Sequence, residues 1–145
     1  MREIKFRNWY KPKEGRLYSD ITPPKMIYLS FCQTIDSGRT LVFTDEERTY
    51  IDESDFEEPI LMQYTGLKDK NGKEIFEGDI VSVKLPDTPH YVGGTILGKI
   101  EYDEVGCRFN INQYFENEFC YDYYDIHEDL SIEIKGNIYQ NPELL

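Results

Sequence analysis

Cysteine is scarce in this chain: Cys32, Cys107 and Cys120 are an odd set with no close pairing. That excludes a disulfide framework as the organising device, and reduced, buried thiols are the expectation. Histidine is scarcer still, with His90 and His127 alone, and none of these five residues lies within about two to four positions of another, the spacing structural zinc sites use. No metal ligand or cofactor is therefore assigned. Nowhere do about 18 apolar residues run together, and Met1–Arg7 lacks the apolar run of a secretion signal, so a soluble, cytoplasmic protein with no membrane partner is expected. Basic residues are few as well: 16 Lys and Arg stand against 28 Asp and Glu, a net charge of −12. Phosphate backbones repel such a chain unless its cations gather on one face, and direct nucleic-acid binding is disfavoured. A phosphate-binding loop is missing too, since Gly93-Gly94 has no accompanying Lys. No Ser, Cys or Asp sits in a recognisable nucleophile turn, so no catalytic residue is assigned.

What the chain does have is aromatic bulk. Twelve Tyr, eight Phe and one Trp bring the aromatic fraction to 14% of 145 residues, and such rings bury large areas each, so the chain is read as folded despite its acidity. The charge is unevenly placed. Residues 1–25 carry seven Lys/Arg against three Asp/Glu, a balance of +4, whereas residues 101–133 carry ten Asp/Glu against Arg108, a balance of −9.

Apolar residues recur with a period of two. Ile4–Trp9, Met26–Phe31, Leu41–Phe43, Ile60–Tyr64, Ile80–Leu85, Thr95–Tyr102, Arg108–Ile111 and Leu130–Ile134 all read as strands, with Ser37-Gly38 joining the second to the third. Lys11–Lys25 holds Pro12, Gly15, Pro23 and Pro24 and reads as loop. The acidic stretch Asp45–Glu58 reads as a loop or short helix, because blocks of like charge stay hydrated. It places a division between an N-terminal β subdomain, residues 1–59, and a small β-barrel, residues 60–145, which could also form one continuous domain.

The densest structural signal is Leu61–Val81, LMQYTGLKDKNGKEIFEGDIV. Asn71-Gly72 is expected to form a type I′ hairpin turn, with positive φ at both residues. Gly78-Asp79 and Gly136-Asn137 are read as further structural turns, the second breaking the last strand before Ile138-Tyr139. Gly66, Gly72, Gly78 and Gly136 are expected where the backbone needs permissive φ. This central stretch, Arg2–Trp9 (REIKFRNW) and Ile134–Leu145 (IKGNIYQNPELL) together resemble the YopX family of phage and prophage proteins. The resemblance implies a mainly-β fold whose C-terminal part is a small SH3-like barrel with an N-terminal β layer, a bacterial host cell as the setting, and assembly as a homo-oligomer. It carries no established activity and hence no catalytic residues.

Of the candidate chemistries, a metal-dependent hydrolase would draw on Asp69, Glu74, Glu77 and Asp79. A calcium loop beginning at Asp69 would need Gly sixth and Glu twelfth, where Glu74 and Ile80 stand, so structural roles are favoured for the cluster. The most suggestive surface is Tyr121-Asp122-Tyr123-Tyr124-Asp125, where tyrosines offer contact area and carboxylates offer field. Its plain alternative is a solvated strand whose tyrosines alternate into the core. The leading expectation is a non-enzymatic phage or prophage accessory protein that binds an unidentified host or phage protein and itself. An acidic nucleic-acid mimic that inhibits a DNA-binding protein is the alternative, and a hydrolase with an unrecognised carboxylate site stands third.

Overall fold

In the computed structural model of the chain, the residues described are 3–13, 25–29, 31–36, 39–43, 48–52, 56–87, 93–113, 122–127 and 129–145. Among them regular structure is strand throughout, apart from a single 3-10 turn at Pro142–Leu144. The twelve strands are β1 Phe6–Tyr10, β2 Lys25–Leu29, β3 Phe31–Asp36, β4 Arg39–Phe43, β5 Arg48–Asp52, β6 Ile60–Lys68, β7 Glu74–Phe76, β8 Asp79–Lys84, β9 Thr95–Asp103, β10 Arg108–Gln113, β11 Asp122–Asp125 and β12 Ser131–Asn137. Every pairing is antiparallel. Two compact units divide between Gln63 and Tyr64, inside β6.

In the first unit, β1 lies between β2 and the opening half of β6, with Trp9 opposite Met26 and Ile60. Trp9, Tyr10 and Met62 are buried, and the Tyr10 ring meets Phe56 edge-on at 5.7 Å between centroids. β3, β4 and β5 form a separate ladder. Two expectations change here. Met26–Phe31 is not one strand but parts of β2 and β3, and β4 pairs with β3 instead of β2. The acidic stretch is not all loop, because Arg48–Asp52 forms β5 against β4. Its Arg-Thr-Tyr-Ile core carries β-branched and aromatic residues that outweigh the flanking charge.

The second unit holds a five-stranded sheet in the order β11-β10-β9-β8-β12. Alternation along β8 sends Val81 and Val83 into a core with Ile75, Ile96, Ile100, Phe109, Ile111 and Ile132, while Ile80 is buried on the opposite face. The edges β11 and β12 are not hydrogen-bonded to one another, so the sheet is open, where a closed barrel was expected. β12 also ends at Asn137. Gly136 and Asn137 lie within the strand, at a bulge where the register slips between Ile134 and Gly136. Asn137 then caps the following turn, its Oδ1 accepting the N–H groups of Tyr139 at 3.0 Å and Gln140 at 2.9 Å.

The β6–β7 connection differs from the expected type I′ turn. Among the described non-glycine residues only Cys107 has positive φ, so Asn71 does not, while Gly72 sits at φ 83°. Gly72 N–H donates to Asp69 O at 2.9 Å and Asp69 N–H to Lys73 O at 2.8 Å, which makes a turn with Asp first and Gly fourth, closed by a left-handed glycine. Gly78, at φ 78°, turns β7 into β8. Gly136 has no such φ; an added Cβ there would fall 2.5 Å from Asn141 Oδ1, so close approach is what that position requires. Nor are the thiols uniformly buried: Cys107 is exposed in the β9–β10 turn, and Cys120 lies outside the described residues.

Candidate functional site

The open side of the five-stranded sheet is where surface chemistry concentrates. β8 ends because Leu85 makes one last ladder bond, its N–H donating to Gly94 O at 2.8 Å, and Pro86 has no N–H to continue. On the far side, Tyr124 of β11 and Leu130 ahead of β12 pack half-buried against the core. Between these segments lies an open groove of about 920 Å³, floored by Leu85, Tyr124 and Leu130 and rimmed by Lys84, Pro86, Arg108, Asp125, His127, Asp129 and Ser131. An apolar floor with a charged rim is the layout of a recognition surface.

The rim is held in place by β10. Arg108 Nη1 donates to Asp125 Oδ2 at 3.0 Å, and Arg108 Nε lies 3.9 Å from Asp103 Oδ2. Asn110 is buried beside them, and with its amide assigned so that the nitrogen faces β11, that nitrogen lies 3.2 Å from Asp125 Oδ1 as a donor. A second concavity, about 620 Å³, is lined by Glu77, Glu101, Asp103, Glu104, Arg108 and Asn110. Its charge is partly matched from within, since Lys99 pairs with Glu101 and Arg108 serves Asp103 and Asp125.

The sequence-derived site residues fall in different places. Tyr121 lies outside the described residues, and the backbone of Asp122 and Tyr123 runs in β11. Tyr124 turns toward the core and Asp125 is exposed, so one strand supplies both the inward tyrosine of the plain reading and a rim carboxylate. Leu85, Pro86, Leu130 and Ser131 were not anticipated. They are separated by more than forty positions and meet only through the β8–β12 pairing, Lys84 opposite Ser131.

Two carboxylates of the Asp69–Asp79 stretch, those of Asp69 and Asp79, are occupied by donors. Asp69 Oδ1 accepts the N–H groups of Asn71 at 2.8 Å and Lys73 at 2.9 Å, and Oδ2 accepts Ile134 N–H at 3.3 Å. Burial pushes the Asp69 carboxyl up, but these backbone bonds and the Asn71 amide outweigh it and hold the group below the ordinary carboxylate range. Asp79, also buried, accepts Phe76 N–H at 2.9 Å. Among the described residues no three His, Cys, Asp or Glu side chains converge as a metal ion requires, and His90 and Cys120 lie outside them. No helix among those residues is long and apolar enough to cross a membrane.

A family model described as YopX protein matches residues 5–145. The chain belongs to the YopX family. A crystal structure, that of protein EF1440 from Enterococcus faecalis, is 28% identical to this YopX-family chain, covering 100% of it and 99% of its own length, at a TM-score of 0.49. No curated protein matches the chain.

Proposed function

We propose that this YopX-family protein is a non-enzymatic binding module, of phage or prophage origin and acting in the bacterial cytoplasm, whose partner is another protein held in the groove between β8, β11 and β12. The carrying observation is the groove itself: about 920 Å³ over an apolar floor, with side chains of both charge signs on its rim. The strand order, β12-β8-β9-β10-β11, is the one an SH3-like barrel uses, and we take the second unit as an opened version of that barrel. The groove then occupies the gap between its first and last edges. Self-association through the same surface belongs to this reading.

Mimicry of nucleic acid is supported less well. Glu77, Glu101, Asp103 and Glu104 do line one concavity, yet Lys99 and Arg108 compensate part of that charge. A phosphate mimic needs its carboxylates uncompensated. The test is Ser131→Trp, an exposed rim position where an indole fills the groove without entering the core. Chemical crosslinking of the wild-type chain in cell extract should trap a protein through Lys84, and Ser131→Trp should lose it with the unfolding midpoint unchanged. Equal crosslinking by both chains would reject the groove as the binding surface.

A further inference from the structure

Of the seven asparagines, Asn71 alone is followed by glycine. That pair is the most open to deamidation, because the reaction is an attack by the next residue's amide nitrogen on the Asn side-chain carbonyl carbon, and glycine has no Cβ to obstruct the approach. Asn71 and Gly72 are both exposed, and nothing stands within 4 Å of a Cβ built at Gly72. Water therefore reaches both reacting groups.

The folded turn opposes the attack from both sides. Gly72 N–H, which must give up its proton to become the nucleophile, donates to Asp69 O at 2.9 Å. Asn71 Nδ2, the leaving nitrogen, donates to Asp69 Oδ2 at 3.3 Å, while Asn71 N–H donates to Oδ1 at 2.8 Å. The side-chain amide is thereby held back toward residue 69. Asp69 is itself fixed, since it is buried and also accepts Lys73 N–H at 2.9 Å and Ile134 N–H at 3.3 Å.

We propose that Asn71 is a latent deamidation site, which Asp69 holds unreactive while the turn is closed. When the turn opens, the Gly72 nitrogen loses its proton to solvent and bonds to Asn71 Cγ. The Cγ–Nδ2 bond then breaks, and Nδ2 takes up a proton and leaves as ammonia. The cyclic imide adds one water at either carbonyl and opens to aspartate or isoaspartate. Either product sets a carboxylate beside Asp69 where an amide donor stood, so like charges meet, and the hold of Asp69 on Ile134 N–H of β12 weakens. Asn71 does not line the groove, so the site is independent of what the groove binds.

The full chain is incubated at neutral pH, native and in urea, beside Asp69→Ser, and the peptide spanning Asn71 is followed by mass spectrometry for asparagine, aspartate and isoaspartate. Two hydrogen bonds must break before attack, so the native chain should deamidate roughly tenfold or more slowly than the unfolded one. Asp69→Ser keeps one oxygen for the backbone N–H groups and gives up the acceptor of Asn71 Nδ2; it should react several-fold faster than the wild type while circular dichroism shows it folded. Should that variant unfold, the comparison of native with urea decides alone. The deamidated wild-type fraction, separated by anion exchange on its added charge, should exchange the Ile134 amide hydrogen faster than the intact chain. Equal rates in the native state and in urea would overturn the protection, and a folded Asp69→Ser as slow as the wild type would overturn the role of the carboxylate. No aspartate or isoaspartate at position 71 even in urea would overturn the site itself.

Discussion

Asp69 shows how much a single residue organises. Its carboxylate closes its own turn through Asn71 and Lys73 and reaches Ile134, 65 positions away. Asp69→Asn keeps one acceptor oxygen but places an NH2 group against an N–H donor, so a loss of about 1–3 kcal/mol is expected in urea unfolding at neutral pH. Because the folded protein holds this carboxyl below its ordinary value, its stabilisation is complete above the unfolded carboxylate value of about 3.9 and is lost as pH falls through the lower folded value. Stability of the wild-type chain should accordingly drop below about pH 4, and Asp69→Asn should flatten part of that drop; equal slopes would show that Asp69 is not the group responsible. Gly72 is a different case. Nothing stands within 4 Å of an added Cβ, yet φ is 83°, so Gly72→Val meets backbone strain alone, about 1–3 kcal/mol by denaturation midpoint. Gly72 was legible in the sequence because turn chemistry is local, whereas the bond to Ile134 was not, since nothing near Asp69 names a partner that only the folded register supplies.

At the scale of the strand, alternation and β-branched runs gave away β1, β6, β8, β9, β10 and β12, each of which contributes buried side chains. β5 was hidden by the carboxylates around it, and β3 by the lack of clean alternation in Phe31–Asp36. Asn71 was misassigned for a subtler reason: an Asn-Gly pair fits a turn with one left-handed residue as well as one with two, and Asp69 decides for the former by accepting from Gly72. Two glycines inside strands separate backbone crowding from side-chain crowding. An added Cβ at Gly98 would stand 2.7 Å from the Asn112 carbonyl, which the β9–β10 ladder holds, while at Gly136 the nearest atoms belong to the movable Asn141 side chain. Gly98→Ala should cost about 1–3 kcal/mol, and Gly136→Ala measurably less, in paired denaturation experiments. The reverse order would mean that β10 gives way more readily than the Asn137–Asn141 turn.

Across the whole molecule, charge bears on the proposed self-association. The +4 of residues 1–25 and the −9 of residues 101–133 first argue for head-to-tail contact between opposite patches. Local structure weakens that argument, since Lys5 pairs with Glu3 at 3.3 Å, Lys11 pairs with Glu57 at 3.1 Å and Arg7 is buried. Little unmatched positive field remains on the described part of the segment. In the proposed self-association the mutual repulsion of two chains at −12 each would be opposed by apolar contact at the groove, and salt screens the first without weakening the second. The Debye length shrinks from about 30 Å at 0.01 M salt to about 8 Å at 0.15 M, so self-association in sedimentation velocity should strengthen over that range. Dissociation on adding salt would restore the opposite patches as the cause, and a strict monomer at both salts and micromolar concentration would reject self-association through the groove.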